Sequence, residues 1–116
     1  MTRYLISFPG SAMNHIPDEE LVAVGKAAHA VAQEAIDAGV WVFGGGLAED
    51  VDPVRVAGNG TVTAGTYPQT SEFNGGFTVL DLPSRKAAFE WAAKIAAACR
   101  CAQEIREFMP DPAVGN

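Results

Sequence analysis

A chain of 116 residues and 12.2 kDa leaves room for one hydrophobic core, which at this size buries roughly two thirds of its unfolded surface without metal or disulfide support. With 48% apolar and 19% charged residues it is no disordered segment. Its 8 Lys and Arg against 14 Asp and Glu give −6 at pH 7 and a pI near 4.7, which argues against nucleic acid and anionic membrane surfaces as partners.

In chain order, residues 3–8 (Arg-Tyr-Leu-Ile-Ser-Phe) are strand formers that stop at the turn signal Pro9-Gly10. After a loop, Pro17 followed by Asp18, Glu19 and Glu20 starts a helix, because proline suits the first turn and acids complement the dipole. Leu21, Val24, Ala28, Val31, Ala32 and Ala35 keep a 3.6-residue period. Glu19, Lys26, Gln33 and Asp37 fall opposite, and Gly39 ends the helix. Val40-Trp41-Val42-Phe43 reads as a strand buried on both faces that runs into Gly44-Gly45-Gly46.

Val54-Arg55-Val56 and Thr61-Val62-Thr63 flank Ala57-Gly58-Asn59-Gly60, the pattern of a hairpin. Gly76 to Leu82 is the next strand. Ser84 is the N-cap of a second helix whose inward stripe is Ala88, Trp91, Ala92 and Ile95, with Phe89 beside it. Ala102 to Phe108 alternates as a last strand, so one domain spans residues 1–109 and a short tail 110–116.

The order β-α-β, hairpin, β-α-β predicts an α+β fold: a ferredoxin-like antiparallel sheet with two helices on one face. Trp41, Phe43, Phe77 and Val79 supply more apolar residues than one face needs. The expected cover is a second subunit, giving a homodimer with its sheets face to face and a cavity between them. Cys99 and Cys101 are too few and too close for a disulfide framework. With no secretory leader and no apolar run long enough to cross a membrane, the expected location is the reducing cytoplasm.

Thr61-Val62-Thr63, then Ala64-Gly65-Thr66-Tyr67, a polar loop with Glu72, Gly75-Gly76-Phe77, a strand through Asp81 and a helix with Glu90-Trp91-Ala92 follow in an order that resembles the YCII-related family. Ala38-Gly39-Val40 leading into Gly44-Gly45-Gly46-Leu47 adds to it, and the resemblance covers about residues 3–108. It resembles in particular the branch with an Asp-Gly-Pro-Phe signature, here reduced to Ala64-Gly65-Thr66-Tyr67. The resemblance implies a dimeric α/β-barrel-type assembly with a pocket at the interface. Most members have no assigned reaction; a few resemble dehydrochlorinases of hydroxylated aromatics, and some are modules attached to sigma factors. In the wider family a His on the first helix pairs with an Asp for acid–base work. The matching position here is Ala28, with His29 one step on, about 100° round the helix.

His29 at the edge of the apolar stripe is the candidate base, with a pKa range suited to proton transfer; the alternative is a surface histidine bonding a backbone carbonyl. Asp81 is its candidate acid partner, or a turn residue before Pro83-Ser84. Tyr67 and Glu72 can orient a polar ligand or seal an interface, and His15 borders a pocket mouth or lies in a solvated loop. Arg3 is a pocket cation or an edge-strand charge.

Gly44-Gly45-Gly46 lacks the helix start of a phosphate cradle and runs into the acidic Glu49-Asp50-Val51-Asp52. No metal-ligand spacing, haem ligand or flavin-binding segment is present, so no cofactor is expected. Cys99-Arg100-Cys101 is a redox pair if extended, but Cys99 falls on the inward stripe and reads as a packing residue. The function expected is a cofactor-free lyase or isomerase acting on a small aromatic or carbonyl compound. The alternative is a non-catalytic module for ligand sensing or protein docking.

Overall fold

Strand β1 (Thr2–Phe8) alternates over its first half: Tyr4 and Ile6 are buried and Arg3 and Leu5 half-buried, while Ser7 on the outer set is buried as well. The same period runs through β5 (Gly76–Leu82), where Leu80 and Leu82 are fully enclosed and Val79 and Asp81 are not. Each strand therefore sends one set of side chains inward and the other to a second face. The computed structural model describes residues 1–116. Its central sheet has the order β2-β5-β1-β6, with β2 at Trp41–Gly46 and β6 at Glu104–Glu107, and every neighbouring pair is antiparallel.

Helices α1 (Leu21–Asp37) and α2 (Arg85–Cys99) pack against each other and against the inward face. Ala35, Ala88 and Ala92 close on Tyr4, Ile6, Leu80 and Leu82 to form the core. The first helix opens with a 3-10 turn at Asp18–Glu20, and Gly39 takes φ +75° just after its end, a conformation that favours glycine. Ser84 caps α2 by accepting a 3.1 Å hydrogen bond from the Ala87 N–H. The fold is α+β, with two helices over an antiparallel sheet and no closed barrel in the chain.

One strand differs from its reading in the sequence. β2 is an edge strand, not one buried on both faces, and it takes in Gly44, Gly45 and Gly46. A register shift between Trp41 and Phe43 turns Trp41 toward the helices opposite Leu80 and Phe43 to the other face opposite Val79. Phe43 is 68% exposed at this edge of the sheet.

Strands β3 (Val54–Val56) and β4 (Val62–Ala64) form a separate two-stranded hairpin. Its turn relies on Gly60 at φ +89° and on the Asn59 side chain, which accepts from the Thr61 N–H at 2.9 Å. Gly65, at φ +88°, donates its N–H to the Pro53 carbonyl at 2.9 Å and closes the hairpin base. A side chain there would strain the backbone, which explains glycine at this point of Ala64-Gly65-Thr66-Tyr67. The tail curls back, and Asn116 accepts a 2.9 Å hydrogen bond from the Arg3 guanidinium.

Candidate functional site

The face of α1 turned to the sheet carries Ala28, Ala32 and Ala35, and the strands below it present Gly44, Gly46 and Gly76. So many small residues opposite one another cannot fill the space between helix and sheet at ordinary packing density. The result is a cavity of about 320 Å³ between the helix layer and the sheet. Large rings wall it: Trp41 from β2, Trp91 from α2 and Phe8 from β1. The glycines make room for them. A Cβ on Gly44 would stand 2.6 Å from the Trp41 ring, and one on Gly76 would stand 2.7 Å from the Phe8 ring.

Apart from the indole N–H groups, the polar side chains of the lining are His29, Thr78 and Cys99. His29 is exposed and forms no side-chain hydrogen bond or ion pair within the chain. Beside this apolar chamber lies a second hollow of about 380 Å³ that shares Phe8, Gly46 and Gly76 with it. Its character is different: Asn14, Asp18, Glu49 and Asn74 line it. The Asn74 carboxamide oxygen accepts from the Gly10 N–H at 3.0 Å, which fixes the loop after β1 against the loop before β5.

Of the candidates named from the sequence, His29 alone lines the apolar chamber. Asp81 does not meet it within the chain. Leu80 and Leu82 point to the core, so strand alternation sends Asp81 to the opposite face of the sheet, in register with Arg3. Arg3 therefore lies outside the cavity as well. Tyr67 is 65% exposed and stacks under the Arg55 guanidinium, 5.6 Å from the ring centre, on the hairpin. Glu72 is exposed, and His15 is exposed between two residues, Asn14 and Ile16, that do line the second hollow. This cavity lies on the helix side of the sheet, and is separate from the inter-subunit cavity expected over the other face.

The cysteines are not held in one extended segment. Cys99 is the last residue of α2 and faces the chamber, and Arg100 after it takes the left-handed conformation at φ 58°, turning the chain before Cys101. Burial pushes the Cys99 thiol above its ordinary value, and the neighbouring Cys101 adds to the shift. Cys101 is also raised by burial, against a lowering hydrogen bond from Gln103. Arg100 does not activate them; its guanidinium bonds Glu20 at 2.8 Å instead.

The sequence reading did not find Trp41, Trp91, Phe8 and Thr78 as lining residues. The signal was present as the coincidence of an alanine-rich helix face with three consecutive glycines on the strand that follows it. The glycines form an edge strand and not a loop before a helix, so they offer no phosphate cradle.

No helix of the chain is long and apolar enough to cross a membrane. Compared with known families, residues 8–110 match the YCII-related domain. No curated protein matches the chain.

Proposed function

The chain belongs to the YCII-related family, and from that membership and the cavity beside His29 we propose that it binds a small, mainly apolar aromatic or carbonyl compound and acts on it as a cofactor-free lyase or isomerase. The observation that carries this reading is a single imidazole at the edge of a mainly apolar chamber. At about 320 Å³ the chamber suits a compound of one or two rings, since roughly 150 Å³ already admits benzene. At that edge the imidazole takes a proton from a carbon or hydroxyl of the ligand and returns it elsewhere, a role worth roughly 10²–10⁴ in rate. Thr78 supplies a hydroxyl for a carbonyl or phenol oxygen.

Asp18 and Glu49 in the adjoining hollow disfavour anions, so the ligand is neutral or cationic. The strand order β2-β5-β1-β6 with both helices on one face supports a ferredoxin-like arrangement, and the bare sheet face supports a homodimer.

The test is turnover of hydroxylated aromatics and small carbonyl compounds followed by NMR, with the wild type beside His29→Gln. The variant should lose roughly 10²-fold or more in rate while binding changes little. Unchanged turnover would remove His29 from the chemistry.

A second reading, a ligand-sensing module without catalysis, is favoured by one observation: no carboxylate of the chain orients His29. Binding by both forms with turnover by neither would select it.

A further inference from the structure

The hairpin β3–β4 stands apart from the rest of the chain. Val54 pairs with Ala64, Arg55 with Thr63 and Val56 with Val62. Alternation therefore gives the hairpin two unlike faces: Val54, Val56, Val62 and Ala64 on one, Arg55 and Thr63 on the other. Tyr67 packs on Arg55. Nothing in the chain covers the valines, which are 55–66% exposed. An isolated two-stranded hairpin is marginally stable in water, so an apolar face of this kind implies a surface for it to pack on.

A second apolar surface is only partly covered. On the side of the central sheet away from the helices, Leu5, Phe43, Phe77 and Val79 are neighbours in register. Phe73 tilts against Phe77 with ring centres 4.9 Å apart. Around them stand charges of both signs, Arg3 opposite Asp81 and Arg106 beside Glu104.

The dimensions give the scale of what is missing. The chain extends 44 × 43 × 20 Å with a radius of gyration of 15.7 Å, against about 13 Å for a compact chain of this length. It exposes 7749 Å², where a folded monomer of its mass exposes about 6,100 Å². The excess, roughly 1,700 Å², is about twice what each partner buries in a standard interface.

We propose that the apolar face of the β3–β4 hairpin and the bare face of the sheet together form the seat of a second copy of this chain, with the hairpin serving as the dimer's arm. This rests on the dimer reading above and is independent of the chemistry at His29. A second copy fits because the rim carries both charge signs, so the patch can meet itself across a two-fold axis.

The test is molar mass by light scattering on four proteins. Wild type should run at twice the 12.2 kDa chain mass. Val56→Lys with Val62→Glu replaces the apolar face by an opposed ion pair that keeps the strands matched. It should raise the dissociation constant roughly tenfold or more. Thr63→Glu, opposite Arg55 on the other face, should leave the dimer intact. Phe43→Asp, on the sheet and outside the hairpin, should also weaken the dimer and should speed hydrogen exchange at the hairpin amides. A monomeric wild type would overturn the dimer itself. A dimer that survives the paired valine substitution, or hairpin exchange unchanged in Phe43→Asp, would overturn the arm while leaving the dimer standing.

Discussion

Cys99 shows how one residue's position decides its chemistry. It closes α2 facing an apolar chamber, so its thiolate loses water without gaining a cation, and its proton is held more tightly than in the unfolded chain. Cys101 is shifted in the same direction. A group whose pKa is raised by folding lends stability below its unfolded value and loses it as pH climbs through the folded one. Alkylation by iodoacetamide should therefore be slow at neutral pH, and the thiols' share of the stability should fade only above the ordinary value of 9.0. Rapid alkylation of the folded protein at neutral pH would contradict this. Cys99 was legible as a packing residue because it continues the stripe of Ala88, Ala92 and Ile95. The facing of Asp81 is equally legible. With Leu80 and Leu82 inward, a residue between them on one strand faces out, whatever its charge.

Among the elements, β2 departs furthest from its sequence. Val40-Trp41-Val42-Phe43 looks like a run buried on both sides because both of its faces are apolar. Here only one is covered. The shift at Trp41 and Phe43 lets the tryptophan lie over Gly44 on the helix side while phenylalanine joins the bare face. Gly44→Ala puts a methyl 2.6 Å from the Trp41 ring, so ring or strand must move. The substitution should cost about 1–3 kcal/mol in chemical denaturation, the range for overpacking a core, and should change the tryptophan emission. A loss of a few tenths with unchanged emission would mean that the ring is free to swing aside. The other elements were plain in the sequence, since each has its own local signals: Pro17 and the acids before α1, Gly39 after it, Ser84 before α2, and the glycine turn of the hairpin.

At the scale of the whole molecule, the order of strands and helices follows from the chain, but the cavity does not follow from any one segment. It arises where Ala28 and Ala32 of α1 face Gly44 and Gly46 of the next strand, with rings from three other places closing the sides. Volume deficits of this kind depend on register between distant segments, which hydrophobic period does not report. The same holds for His29. Its place at the stripe edge was readable, whereas the chamber beside it was not.

The chain has two tryptophans, and both line the chamber. Its two histidines divide, His29 at the chamber and His15 in an exposed loop outside it. The most direct measurement is a titration with benzaldehyde and with benzoate, following tryptophan emission and the imidazole Cε1–H resonances together. The cavity account predicts that benzaldehyde changes the emission and shifts the His29 resonance while His15 stays still, and that benzoate binds more weakly because of Asp18 and Glu49. Unmoved tryptophan and His29 signals throughout, or movement of His15 alone, would contradict it.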